Sequence, residues 1–156
     1  MSKQLVVYYS RTGTTKTVAE LISNKLKCDI VEVTDNINRK GPLGYIRCGK
    51  EAMTKKLPKI NGLKKDPASY EVVIIGTPIW GFSLSSPIRS FLTEYKDKLK
   101  KVSFFCTQGG SGGKNAFSQM EKITEKKPIA AMILDTIEIK KEDYELKLDS
   151  FINKLI

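Results

Sequence analysis

Residues 6–22 read Val-Val-Tyr-Tyr-Ser-Arg-Thr-Gly-Thr-Thr-Lys-Thr-Val-Ala-Glu-Leu-Ile, and their pattern changes twice. A short apolar run, Leu5 to Tyr9, stops abruptly. Six small or polar residues follow, Ser10 to Thr15, and then Val18, Leu21, Ile22 and Leu26 recur at helical spacing. The stretch predicts strand, hydroxyl-rich loop, helix. A loop in that position presents backbone N–H groups at a helix N-terminus, where the dipole favours an anion. Ser10, Thr12, Thr14 and Thr15 add hydroxyls beside Arg11, and Gly13 lets the backbone close tightly on a ligand. Plain helix capping would account for one Thr-Gly pair. Four hydroxyls and a glycine between a first strand and a first helix favour a phosphate cradle that needs no metal.

Composition narrows the chemistry. At 156 residues the chain is expected to form one domain, 1–156, with a substantial core. No stretch approaches the roughly 20 apolar residues of a membrane span. Leu5 to Tyr9 is too short for the apolar region of a signal peptide. Cys28, Cys48 and Cys106 are far apart and odd in number, which argues against a disulfide framework or a zinc site and fits a reducing cytoplasm. The chain has no histidine, so Ser-His-Asp and Cys-His catalysis are excluded. No catalytic residue and no metal ligand is assigned. The net charge of +10 is spread over small lysine groups at expected helix ends. Basic residues interleaved with aromatics on one face, the mark of nucleic-acid binding, are not seen.

Apolar strands alternate with amphipathic helices. Strands are expected at about 3–9, 30–33, 72–75, 102–107 and 129–134, and helices at about 14–27 and 43–55. A third helix should take Ser86 as N-cap and Pro87 at its first position. A fourth carries Ala116, Met120 and Ile123; a fifth carries Tyr144, Leu148, Phe151, Ile152 and Leu155. The pattern implies an α/β fold, a three-layer doubly wound sandwich around a five-stranded parallel sheet. Ligands of such folds bind beyond the carboxyl ends of the strands, where the winding reverses.

Two further strand ends carry unusual loops. The second is Gly76-Thr77-Pro78-Ile79-Trp80-Gly81-Phe82-Ser83, with the only tryptophan. An indole flanked by Pro and Gly suits lying flat on a planar aromatic ligand; folding back over the core is the competing arrangement. The third is Thr107-Gln108-Gly109-Gly110-Ser111-Gly112-Gly113, whose glycines let backbone press against a ligand edge. It is not a Walker A loop, because the first glycine would fall at Gln108 and Asn115 replaces the Ser/Thr. A phosphate cradle, an aromatic plate and a backbone-rich clamp describe a site for a mononucleotide with a large planar ring, and FMN fits best.

The same residues resemble the flavodoxin signature. Val6, Val7, Tyr8, Ser10, Gly13, Thr15 and Ala19 match it in full, and Thr77-Pro-Ile-Trp, Ser86-Pro-Ile-Arg-Ser-Phe-Leu and Thr107-Gln-Gly-Gly-Ser-Gly resemble the family's later elements. The resemblance implies the short-chain flavodoxin-like fold with strand order 2-1-3-4-5. It implies that Ser10, Arg11, Thr12, Gly13, Thr14 and Thr15 bind the FMN phosphate. Thr77, Pro78, Ile79, Trp80, Gly81 and Phe82 would flank the isoalloxazine, with Trp80 stacking on it. Thr107, Gln108, Gly109, Gly110, Ser111 and Gly112 would line its pyrimidine edge. Thr14 replaces the family's common Asn, no aromatic falls between Thr107 and Ala116, and the chain is basic where family carriers are usually acidic.

The expected function is an FMN electron carrier shuttling electrons between redox partner proteins with acidic docking patches. The alternative is an FMN-dependent NAD(P)H or quinone-type oxidoreductase acting on a small molecule, with Arg11, Arg47 or Lys114 attracting an anionic substrate. The segment 40–59 lies where it could cover the site.

Overall fold

A computed structural model describes residues 3–156. Its central sheet follows the alternation of apolar strands. β1 (Gln4–Tyr8), β2 (Asp29–Glu32), β3 (Val72–Trp80), β5 (Lys101–Gln108) and β6 (Ala131–Asp135) pair in parallel, in the order β2-β1-β3-β5-β6. A two-residue strand, β4 (Ser83–Leu84), turns back on β3 in antiparallel pairing. Leaving out that flap, the expected order 2-1-3-4-5 holds.

Successive residues of each strand feed opposite layers. Leu5, Val7, Val73, Ile75, Val102 and Phe104 pack in a cluster with Cys48 and Ala52 of α2 (Gly41–Met53), Ile88, Phe91 and Leu92 of α3 (Ser86–Tyr95), and Ala116 and Met120 of α4 (Gly113–Thr124). Val6, Tyr8, Val72, Ile74 and Phe105 face the other way. They meet Val18, Ala19 and Ile22 of α1 (Thr14–Leu26) and Leu148, Phe151 and Ile152 of α6 (Glu145–Asn153). Gly76 sits where any Cβ would run into the Phe105 ring, so this glycine lets β3 lie flush beside β5.

Four elements differ from the sequence expectation. β3 runs five residues past Ile75, because Ile79 and Trp80 pair with Leu84 and Ser83 instead of entering a loop. That hairpin made β4 invisible to periodicity. The N-cap of α3 is Ser85, one residue earlier than expected; Ser86 is inside the helix, with its hydroxyl on Glu51 at 3.0 Å. A short α5 (Thr136–Lys140) precedes α6, started by a capping box between Asp135 and Glu138. No helix among the described residues is long and apolar enough to cross a membrane.

Candidate functional site

β1 is where the winding reverses, since β2 follows it on one side and β3 lies on the other. The loops leaving β1, β3 and β5 are joined there by direct contacts. Thr15 and Thr107 share a hydroxyl–hydroxyl hydrogen bond of 2.8 Å, which ties the first loop to the third. The Asn115 side chain donates to the Phe82 carbonyl at 2.9 Å, and a Cβ on Gly112 would lie 2.6 Å from Phe82 Cα. The second and third loops therefore touch, backbone to backbone.

The first loop ends at Gly13, whose φ of 102° only glycine adopts readily, and α1 has no side-chain cap. The first three amides of a helix have no partner within it. Those of Thr14, Thr15 and Lys16 thus stay available, with no acidic residue in the first turn to compete for them. Ser10 Oγ is used inside the loop, accepting from Gly13 N at 3.0 Å. Thr12 is exposed, while Thr15 is buried as the strut to Thr107. Arg11 turns toward the start of α2. It donates to the carbonyls of Arg39 (2.9 Å) and Gly41 (3.1 Å) and lies 5.7 Å from the Tyr45 ring.

In the second loop Trp80 takes the competing, folded-back arrangement, and Phe82 is the aromatic that reaches solvent. Trp80 is buried, 8% exposed, with its ring edge-on to Tyr9 at 5.5 Å and the Arg39 guanidinium 5.2 Å away. The pairing of Trp80 with Ser83 turns the indole inward, against the flat exposed placement its Pro and Gly neighbours suggested. Phe82 is 64% exposed. It holds φ 62° directly after Gly81 at φ 54°, a tight hairpin turn with both central residues left-handed. For an aromatic residue that conformation is strained, by about 1–2 kcal/mol. α2 presses on this turn: a Cβ at Gly81 would meet Met53 Cγ at 2.7 Å and the Gly49 carbonyl at 3.1 Å. Thr77 is buried, donating its hydroxyl hydrogen to the Pro78 carbonyl and accepting from Ser85 N, while Pro78 and Ile79 are half-buried.

The third loop is held by Gln108, whose side chain accepts from Gly113 N and donates to the Gly110 carbonyl and Asp135. Gly109, Gly110 and Ser111 are exposed, and a Cβ at either glycine would meet open space. Arg47 pairs with Glu51 at 2.9 Å, and Lys114 lines a groove of about 600 Å³ with Phe117, Met132 and Leu146.

Sequence reasoning passed over the layer beneath the loops. Arg39, 4% exposed, pairs with Asp35 (2.8 Å) and Glu51 (3.0 Å) directly under Trp80. Burial alone would pull its pKa down; the bonds to Asp35 and Glu51 overcome that and raise it. Glu51 is likewise penalised by burial, yet the bonds from Arg39, Ser86 and Arg47 hold its carboxyl below the ordinary range. Burial pushes the Tyr9 phenol up to about 12. The available signal for this cluster was the acid–base spacing Asp35, Arg39 and Glu51. Among the described residues no group of three or more His, Cys, Asp or Glu could hold a metal ion.

Known proteins share this topology. A flavoprotein from Lactobacillus acidophilus, solved in complex with FMN, is 26% identical, covering 90% of this chain and 98% of its own, with a TM-score of 0.74. Two-electron-reduced flavodoxin from Megasphaera elsdenii is 23% identical over 98% of this chain and 99% of its own (TM-score 0.63). An NADH:FMN oxidoreductase is 15% identical over 99% and 89% (TM-score 0.60). These last two show likeness of fold alone. No curated protein sequence matches. The family model described as flavodoxin matches residues 3–142, nearly the whole span from the first strand to the start of the last helix, and the chain belongs to the flavodoxin family.

Proposed function

We propose that this chain binds FMN at the three loops and serves as a cytoplasmic electron carrier between redox proteins. The residues fit the cofactor. Uncapped amides of Thr14, Thr15 and Lys16 with no acidic residue in the first turn suit a phosphate. Exposed Phe82 suits contact with a flat ring, and unobstructed Gly109 and Gly110 suit its polar edge. When bound, the flavin supplies one- and two-electron redox chemistry, and the protein supplies orientation and electrostatics. Ser10, Arg11, Thr12 and Gly13 shape the phosphate loop; Thr77, Pro78, Ile79, Trp80 and Gly81 set the turn that presents Phe82. Thr107, Gln108, Ser111 and Gly112 hold the third loop against it.

One observation favours a carrier over an enzyme. Leu43, Tyr45, Ile46, Met53 and Leu57 are more than half exposed on and after α2, next to the Phe82 turn. Leu43, Ile46 and Met53 fall on one outward face of that helix. Lys40, Arg47, Lys50, Lys55 and Lys56 are exposed on or next to α2. An exposed apolar patch with basic residues among it suits a protein partner bearing carboxylates better than a small substrate. The reductase reading draws on the absence of an aromatic between Thr107 and Ala116, which leaves the third-loop side of the site open.

Calorimetry with FMN tests the cofactor, and a null titration refutes it. Steady NAD(P)H oxidation by the FMN-loaded protein and a quinone, with no second protein, would establish the reductase instead. A carrier shows none, and accepts electrons from a flavodoxin reductase at a rate that falls as salt rises.

A further inference from the structure

Arg89 lies on α3, 6% exposed, between the Phe82 turn and α4. Its Nη2 donates to Ser83 Oγ at 3.1 Å and to Gln119 Oε1, and its Nε has no partner. Ser83 directly follows Phe82 in the chain. Gln119 lies one helical turn beyond Asn115, whose amide holds the Phe82 carbonyl. The guanidinium therefore joins β4, which directly follows the Phe82 turn, to α4, which follows the third loop and holds the Phe82 carbonyl. Among the described residues no carboxylate pairs with it, and burial draws its pKa down without an opposing charge. Arginine nevertheless stays protonated. A positive charge thus lies mostly out of water with only neutral oxygens for partners, an arrangement that carries a desolvation cost.

We propose that Arg89 is a positioning residue for charge: its unpaired guanidinium favours negative charge on an aromatic ring held at the Phe82 turn, so that it strengthens the binding of reduced flavin relative to oxidised flavin. The proposal rests on FMN being the ligand of this site. Two-electron reduction of a flavin by an external donor adds two electrons and one proton to the ring at neutral pH, which leaves it anionic. A buried cation acts on that change through a medium that screens poorly, so its effect persists at high salt, unlike that of the surface lysines. It acts on the reduced form and leaves the neutral oxidised ring nearly indifferent.

Three full-length proteins test this with FMN as the probe, by calorimetry of oxidised FMN and by potentiometric titration. Arg89→Gln should bind oxidised FMN as the wild type does and lose about tenfold in preference for reduced FMN, a fall of about 30 mV in the two-electron potential. Arg89→Lys, which keeps the charge, should retain most of the preference. Gln119→Glu gives Arg89 the counter-charge it lacks while leaving the guanidinium in place, and it should lower the potential as Arg89→Gln does. It also decides the matter if Arg89→Gln fails to fold. An unchanged potential in Arg89→Gln or in Gln119→Glu overturns the role of Arg89 while the FMN reading stands. Failure of the wild type to bind FMN overturns both.

Discussion

Two arginines lie equally deep in this protein, Arg39 at 4% and Arg89 at 6% exposed, and they are treated in opposite ways. Arg39 sits under Trp80 between two carboxylates whose side chains are themselves 3% and 5% exposed. Arg89 sits under the Phe82 turn with a serine and a glutamine. In the first cluster the charges answer one another, the carbonyl of Arg39 receives Arg11, and the whole anchors the phosphate loop to α2. In the second, the charge remains unanswered within the protein. Burial by itself therefore does not reveal what a buried charge is for. The presence or absence of a counter-charge separates a structural cluster from one directed at a ligand.

The largest expected effect contrasts the two directly. Arg39→Met strands Asp35 and Glu51 in a buried site and should cost about 3–5 kcal/mol in urea unfolding. Arg89→Met removes a lone buried charge and leaves Ser83 and Gln119 bonded to each other at 3.1 Å, so the flavin-free protein should gain stability, by about 1 kcal/mol or more. Equal losses would break the distinction.

Acid unfolding sharpens it. The folded pKa of Glu51 is depressed, so its contribution is complete above its ordinary value of 4.5 and fades as pH falls through 4.5 and lower. Glu51→Gln should flatten that limb of the stability profile, whereas Arg89→Met should leave its slope unchanged. An identical acid limb in Glu51→Gln and wild type would contradict the assignment.

The smallest effect concerns the turn above Arg89. Phe82→Gly removes a strained left-handed aromatic and should stabilise the flavin-free protein by about 1 kcal/mol, read as a higher urea midpoint. The same change should weaken FMN binding, because the exposed ring is lost. A variant both less stable and equally tight would show that Phe82 serves packing instead.

Much of this was legible in the residues. Leu5 to Tyr9 alternates between two apolar layers, so its burial on both faces and the helices covering it follow from composition alone. Gly13 and Gly112 mark left-handed helix starts at the first and third loops, a backbone requirement that residue type announces directly. The placement of Trp80 and Phe82 was not legible. Which aromatic faces water depends on the pairing of Trp80 with Ser83, and that pairing becomes visible only when β4 folds back. The contrast between Arg39 and Arg89 was hidden for a related reason. Asp35, Arg39 and Glu51 lie within 17 residues of sequence, but Arg89 meets its neighbour Gln119 across 30 positions and two helices. Local sequence thus specified the elements and the loops between them, because periodicity and backbone permissiveness are properties of short stretches. Packing alone assigned each charge and each ring its surroundings, because those are set by contacts between segments distant along the chain.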